Sequence, residues 1–387
     1  MNTIRVAMII QAYHPHVGGA ERQLAAISPR LQRQGVDVHV LTRQQPGLPR
    51  YELINGIPVH RIPTPGNHAL ASLSFTTLAL PLLTWLRPNL IHAHEMLSPT
   101  TTAVFAKRIL KVPIITKVLR GGDLGDIAYL QSHKTGRQRL ATFRQDVDRF
   151  IAISQEIDRE LESMGVAPNR RVLIPNGVNT QHYAPVSMGE KLALRRKLGL
   201  PNGPIAVFTG RLSPEKRVEH LLAIWPLLRE QHPDASLLIL GSGPDEPGLH
   251  AQASPGVHLL GRVGDVAPYL KAADLFLLPS HTEGLSNALL EAMSTGLPCV
   301  ATRVGGAIDL IDHSNNGWLV NRNAPDEMLA AISLLLENPA QRHYLGQRAR
   351  QHIVRGYSLG NTAEQISQLY QGLLAERPFT AAPSAQG

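Results

Sequence analysis

The sequence predicts an α/β protein of two domains of similar size, each built on a parallel sheet. Three observations predict it. The 387 residues are too many for one ordinary domain and fit two of ~190. Short apolar runs alternate with longer amphipathic stretches from one end of the chain to the other. The runs also lack the in–out alternation of a half-exposed strand, which suits strands covered by helices on both faces.

Taken in order, the first half predicts strands at 4–10, 36–41, 57–62, 90–92, 113–119 and 150–153. The amphipathic stretches 21–34 and 154–164 read as helices, with Gly35 and Gly165 where helices end. The second half repeats the scheme, with strands at 205–209, 236–240, 257–260, 275–279, 298–301 and 317–320. Between the halves, Pro175-Asn176-Gly177-Val178-Asn179 runs on to Pro185 and is turn-rich, so the hinge is expected there. The expected division is 1–178, 179–356, and a helix at 357–378 that crosses back to the first domain. The tail after Phe379 is small and polar and is expected to fray. Residues 69–86 carry no charge, but Ser72, Ser74, Thr76, Thr77, Pro81 and Thr84 fit a core helix touching lipid better than a span.

Composition narrows the function. Apolar residues make up 43% and charged residues 18%, which excludes a disordered chain. The single cysteine, Cys299, lies in an apolar run and can make neither an internal disulfide nor a zinc site, so a small buried hydrophobe in a reducing compartment is expected. No cleavable leader is read at Met1, which runs straight into the first strand. The net charge of +8 points to an anionic partner: nucleotide phosphates, an acidic membrane surface or nucleic acid. Nucleic acid is disfavoured, because the cations are dispersed and only 5% of residues are aromatic.

Three segments carry chemistry. His14-Pro15-His16-Val17-Gly18-Gly19-Ala20-Glu21 follows the first strand and opens the first helix, where glycine admits a close ligand and the helix N-terminus attracts anions. Gly210-Arg211-Leu212-Ser213-Pro214-Glu215-Lys216 follows the first strand of the second half. Arg211 and Lys216 together suit a diphosphate, one as a fork and one as a point charge. In the third, Glu283 sits in a loop and Gly284 is expected to open a helix. The amides of Gly284, Leu285 and Ser286 would then be unpaired donors, with Asn287 beside them. Glu291 would lie some ~12 Å further along the axis, so the two carboxylates would reach different parts of one elongated ligand.

Gly18-Gly19-Ala20-Glu21, Gly210-Arg211 with Lys216, and Glu283 spaced from Glu291 by seven residues resemble the family-4 glycosyltransferases, retaining enzymes of the GT-B fold with two Rossmann-like domains. Pro175-Asn176-Gly177-Val178 and Gly305-Gly306 followed by Asp309-Leu310-Ile311 look like that family too. The resemblance implies a role for each residue. The amide of Gly19 faces the donor diphosphate, Arg211 and Lys216 neutralise it, Glu283 touches the sugar hydroxyls as the catalytic-site carboxylate, Glu291 grips the ribose, and Arg262 and Val263 border the base. Many members carry a histidine just after the strand matching 114–118. This chain reads Lys117-Val118-Leu119-Arg120-Gly121-Gly122-Asp123 there, so Arg120 or Asp123 takes that place and no catalytic base is assigned.

Asp146-Val147-Asp148 spells a metal-binding D-x-D but precedes its strand rather than following one. His92 and His94 share one face of a strand end, have no third ligand nearby, and are expected to line the acceptor side of the cleft. The expected function is transfer of a hexose-type sugar from a nucleoside diphosphate sugar, uridine first, to a hydroxyl acceptor such as a glycan, a lipid-linked glycan or a small molecule. Retention of configuration, no metal and no cofactor complete the expectation. A nucleotide-sugar epimerase of similar fold and a nucleic-acid-binding protein are the alternatives. Lys134, Arg137, Arg139, Arg144 and Arg149 further suggest a helix whose basic face, with Leu140 on it, docks reversibly on anionic lipid at the cytoplasmic side of a membrane.

Overall fold

A computed structural model describes residues 3–16, 18–65 and 68–376, with backbone only at 68 and 69. The tail after Phe379 and Val17 of the first glycine segment lie outside the described residues. The first lobe runs β1 (Ile4–Ile9), α1 (Gly19–Arg33), β2 (Val36–Arg43), β3 (Tyr51–Ile54), β4 (Ile57–Ile62), α2 (His68–Leu86), β5 (Leu90–His94), α3 (Ser98–Leu110), β6 (Ile114–Val118), α4 (Asp126–Gln131), α5 (Lys134–Asp146), β7 (Arg149–Ala152), α6 (Gln155–Ser163) and β8 (Arg171–Leu173). The second runs α7 (Met188–Lys197), β9 (Ile205–Thr209), α8 (Val218–Gln231), β10 (Ser236–Leu240), α9 (Glu246–Gln252), β11 (Val257–Gly261), α10 (Ala267–Ala272), β12 (Leu275–Leu278), α11 (Asn287–Ser294), β13 (Cys299–Thr302), α12 (Ala307–Leu310), β14 (Trp318–Val320), α13 (Pro325–Glu337) and α14 (Pro339–Gly356). Last comes α15 (Leu359–Ala375).

Among the described residues the first sheet has eight strands, ordered β3-β4-β2-β1-β5-β6-β7-β8, and the second has six, ordered β11-β10-β9-β12-β13-β14. All pairings are parallel except β3 with β4. Strands β5, β6, β9, β10, β12 and β13 are buried at every residue, as unbroken apolar runs require. The two-residue period of β1 sends Val6 and Met8 into one layer with Leu24 and Leu31 of α1. It sends Ala7 and Ile9 into the opposite layer, with Phe75 and Leu83 of α2, Ala103 of α3 and Phe143 of α5.

Two strands escape the sequence reading. Strand β3 is half-exposed, with Tyr51 and Leu53 facing solvent, so it lacks the apolar run of an interior strand. Its hairpin to β4 turns on Asn55-Gly56, both at positive φ (51° and 79°), the backbone of a primed two-residue turn. Strand β8 has three residues on the far edge.

The chain crosses between the lobes twice, at one place. Val178 N donates to Tyr357 O at 2.9 Å and Leu359 N donates to Val178 O at 3.0 Å, so the outgoing and returning segments pair side by side. Thr362 Oγ1 donates to Pro175 O at 3.3 Å. Helix α15 then packs on the α1 face of the first sheet through Leu359, Ala363, Ile366, Tyr370 and Leu373. Under it, the Tyr370 hydroxyl meets His92 Nδ1 at 2.7 Å, and the His92 and His94 rings stack with centroids 4.4 Å apart. The two histidines do share a strand face, but the expectation that they line the cleft is corrected: they are 0% and 4% exposed, and Tyr370 of α15 closes over His92.

The basic stretch is corrected as well. Arg149 lies in β7 and pairs with Glu376 at 2.6 Å, while Arg139 packs over the Phe143 ring and donates to Thr101 Oγ1 at 2.9 Å. Leu140 is buried, so Lys134, Arg137 and Arg144 point outward on their own. The uncharged stretch forms α2, buried along Phe75, Ala79 and Leu83 and exposed on its other side. Among the described residues no helix is long and apolar enough to cross a membrane.

Two predictions follow from this frame. A Cβ on Gly177 would stand 2.7 Å from Thr362 Oγ1 and 2.8 Å from Leu359 Cα, part of it unyielding backbone. Gly177→Ala should therefore destabilise the fold by ~1–3 kcal/mol, read from urea unfolding; a wild-type midpoint would contradict the packing. The second concerns His92. Burial first, and Lys117 second, lower its pKa from 6.5 to about 3. The unfolded chain takes up this proton below 6.5 while the folded chain refuses it down to about 3. The stability this provides is complete above 6.5 and is lost as pH falls through that window, at about 1.4 kcal/mol per pH unit. His92→Gln should flatten the acid dependence of the urea midpoint by about one proton; an unchanged slope would mean that His92 is already protonated in the folded chain.

Candidate active site

Loops at the C-terminal ends of both parallel sheets face each other, the edge where open α/β sheets bind ligands. Asn287, the first residue of α11, joins them. Its Nδ2 donates to Gly19 O at 3.0 Å, and its Oδ1 accepts from Gln23 Nε2 at 2.9 Å and from Asn176 Nδ2 at 3.3 Å. Gln23 is bonded to Gly177 in both directions, at 2.8 and 3.1 Å. A Cβ on Gly19 would lie 3.2 Å from Asn287 Nδ2, and one on Gly18 would strike the Glu21 carboxylate. Glycine is what lets the N-terminus of α1 come this close to the N-terminus of α11. Two helix dipoles thus turn their positive ends to one spot.

The helix expected at Gly284 begins three residues later. Ser286 is its N-cap: Oγ accepts from Leu289 N at 3.3 Å and the carbonyl from Leu290 N at 3.1 Å. Gly284, Leu285 and Ser286 form a loop, and Gly284 serves a tertiary purpose. A side chain there would collide with the carbonyl of Leu119 from the first lobe, and the Gly284 carbonyl accepts from Gly306 N at 3.0 Å. The first residues of the helix are therefore Asn287 and Ala288. The axial separation expected for Glu283 and Glu291 is corrected too, since only 287–291 is helical, about 6 Å of rise.

The structure brings Glu283 and Lys216 together. Lys216 Nζ donates to Glu283 Oε1 at 2.5 Å and Ser280 Oγ donates to the same oxygen at 2.7 Å. Glu283 is buried and Lys216 half-buried, at the end of a short 3₁₀ turn, Pro214–Lys216. Arg211 is exposed just past β9 and forms no ion pair among the described residues, which leaves its guanidinium available. Glu291 is buried in α11. Its Oε1 lies 3.5 Å from Arg22 Nη1 of α1, across the lobes, while its buried Oε2 has no partner within hydrogen-bond geometry among the described residues, although the Tyr183 hydroxyl interacts with the carboxyl. Burial pushes the Glu291 carboxyl above its ordinary range and Arg22 opposes that rise. Arg262 is exposed and Val263 half-buried in the loop after β11, which the His182 Nε2–Asp265 Oδ1 contact of 3.0 Å ties to the segment after the hinge.

On the first lobe, the turn after β6 lies against the Glu283 loop: Thr282 Oγ1 donates to Gly121 O at 3.4 Å. Asp123 and Arg120 are exposed on this turn, and Arg120 Nε donates to the buried Asp126 at 3.2 Å. Sequence reasoning missed Arg22, Gln23 and Glu95. Glu95 follows β5 at φ 87°, and burial first, then the Asp126 carboxylate, raise its pKa to about 7. The carboxylates of the D-x-D segment are engaged elsewhere. Asp148 accepts from Lys107 Nζ at 2.7 Å and from Ile114 N at 2.8 Å, and Asp146 accepts from Arg108 at 2.8 Å. What faces the cleft is therefore positive at two helix ends and at Arg211 and Lys216, with separate carboxylates that can accept from hydroxyl groups.

Comparison with known proteins shows the family and the fold. A family model described as Glycosyltransferase Family 4 matches residues 17–182, and one described as Glycosyl transferases group 1 matches residues 203–338. An uncharacterised glycosyltransferase of Methanocaldococcus jannaschii is 29% identical over 95% of this chain and 98% of its own length. A GDP-mannose-dependent monoacylated alpha-(1-6)-phosphatidylinositol monomannoside mannosyltransferase of Corynebacterium glutamicum is 32% identical over 63% of this chain and 69% of its own. Among solved structures, Anabaena HepE in complex with UDP-glucose superposes with a TM-score of 0.80 at 20% identity, over 95% of this chain and 100% of that one. The two-lobed α/β architecture is the GT-B fold, and the chain belongs to the family-4 glycosyltransferases.

Proposed function

We propose that the enzyme moves a hexose-type sugar from a nucleoside diphosphate sugar to a hydroxyl acceptor, with retention of configuration and without a metal. The observation that supports this most is the pair of helix N-termini meeting at Asn287 beside Arg211 and the Lys216–Glu283 pair. A departing diphosphate develops charge there, and preorganised amides and cations stabilise it without reorganising. The Glu291 carboxylate, whose buried Oε2 has no partner within hydrogen-bond geometry among the described residues, suits the hydroxyls of a ribose, beside the Tyr183 hydroxyl. Glu283 suits the sugar hydroxyls, with Lys216 passing part of its bonding to the phosphates. Gly18 and Gly19 leave room for the diphosphate beside the α1 amides, and Arg262 and Val263 border the base. Uridine is the first base to test, because HepE was solved with UDP-glucose. The acceptor belongs at the first lobe's strand ends, where Arg120, Asp123 and Glu95 stand. Cys299 is buried, and burial raises its thiol pKa, as befits a small buried hydrophobe.

A thermal-shift screen of uridine, guanosine and adenosine diphosphate sugars tests the donor class directly; no stabilisation by any of them would sink the proposal. Arg211 is the cleaner charge to remove, because loss of Lys216 also strands the buried Glu283. Arg211→Ala should weaken binding of the nucleoside diphosphate by about 1.5–3 kcal/mol and leave the bare nucleoside unaffected in calorimetry. Equal losses for both ligands would show that Arg211 does not face the phosphates. Turnover should also survive EDTA. A loss restored by Mn²⁺ or Mg²⁺ would overturn the metal-free mechanism.

A further inference from the structure

The second lobe carries another basic site, away from the cleft. Arg348, His352 and Arg355 are spaced by four and three residues, so they share one stripe of α14. The stripe borders a groove of about 560 Å³, whose other wall is α12 with the turn after it, and Arg303 lines the groove just past β13. Arg211 and Lys216 of the cleft follow β9, whereas this groove sits beyond β13, at the β14 edge of the sheet. Its carboxylates are already engaged: Asp309 accepts from Gln155 N at 2.7 Å and Asp312 from Asn315 Nδ2 at 2.7 Å. Its cations are not. Arg303 and Arg355 are exposed and form no ion pair among the described residues, and Arg348 Nε donates to the neutral Asn315 Oδ1 at 3.2 Å. His352 Nε2 is buried with no hydrogen-bond partner among the described residues.

The turn after α12 is held in place by its own side chains. Asn316 Oδ1 accepts from Asp312 N at 2.8 Å and its Nδ2 donates to Leu310 O at 3.1 Å, so little order remains to be imposed on binding. Guanidiniums that each offer parallel N–H groups suit a phosphate. A groove of this size takes a small molecule rather than a bare ion, and the amides of Asn315 and Gln351 along it suit hydroxyl groups. The walls also carry the contacts between the lobes. Tyr357, the C-cap of α14, has its ring 5.2 Å from His352 and donates from its hydroxyl to Asp309 O at 3.5 Å, while its carbonyl accepts from Val178 N at 2.9 Å. One wall thus holds Gln155 of the first lobe and the other holds the place where the chain crosses. We propose that the groove is a regulatory site for a small phosphorylated polyol, which braces α12 against α14 and so steadies the pairing of Val178 with Tyr357 and Leu359. Neither the site nor its ligand depends on the identity of the donor.

Calorimetry on the full chain at fixed ionic strength tests the site, with glucose 6-phosphate, inorganic phosphate and glucose as probes. Glucose 6-phosphate should bind, inorganic phosphate should bind about tenfold more weakly and glucose should give no heat. Arg303→Ala/Arg355→Ala should weaken glucose 6-phosphate by about tenfold or more and leave the thermal midpoint of the free protein in place, because both side chains are exposed. Arg211→Ala, in the cleft, should leave the affinity unchanged. Hydrogen exchange reads the coupling to the crossing point. Saturating glucose 6-phosphate should slow the amides of Val178 and Leu359 in the wild type and not in the double variant. No binding of glucose 6-phosphate, or binding indifferent to Arg303 and Arg355, would overturn the proposal, and loss of binding in Arg211→Ala would place the ligand in the cleft instead. Inorganic phosphate as tight as glucose 6-phosphate would refute the polyol, and unchanged exchange at Val178 and Leu359 in the bound protein would refute the regulatory role.

Discussion

The carboxamide of Asn287 is the contact on which the two-lobed arrangement depends. It stands where a helix of each lobe begins, and it bonds both lobes and the segment between them. A carboxamide can do this because it is donor and acceptor at once and carries no charge. A carboxylate in its place would repel the Gly19 carbonyl, and a cation would oppose two positive helix ends. The network runs deeper through Asn176, whose Oδ1 accepts from the buried Lys117 Nζ at 2.9 Å. Burial lowers that lysine to about 8, so a neutral amide partner holds it without fixing its charge.

Around this junction the charges are arranged in pairs that can be exchanged. Lys216 with Glu283 and Arg22 with Glu291 each combine a cation and a largely buried carboxylate. Such pairs add little net stability once desolvation is counted, while an unpaired member would be costly. In a binding site that balance is useful, because a ligand bearing phosphates and hydroxyls offers each partner a substitute. The Arg22–Glu291 pair also spans the lobes, so a ligand that takes over Glu291 alters an interlobe contact in the same act.

The fold was legible because its strands are buried on both faces, and burial writes itself into sequence as unbroken runs such as 205–209 and 236–240. Strand β3 was not, because a half-exposed edge strand has no such run and is defined by its turn. Of the candidate site, position was legible: Arg211, Lys216 and Glu283 follow the buried runs of β9 and β12, and Glu291 lies on the helix after them. It misled where geometry is set from the other lobe: Gly284 looks like a helix opening but is small because Leu119 passes over it. Arg22 and Gln23 were invisible for the same reason, since Glu291 and Asn287, which they meet across the lobes, lie more than half the chain away. His92 looked like a cleft residue because nothing near it in sequence announces the helix that covers it.

The return of α15 gives the chain an order of completion that its sequence order hides. The first lobe leaves the ribosome first, but its α1 face stays uncovered until Leu359, Ile366 and Tyr370 have been made. The second lobe is contiguous and closes on itself earlier. The domain begun first is therefore finished last, and until then Val6, Met8 and their neighbours form an apolar surface of the kind that chaperones hold and nascent chains aggregate through.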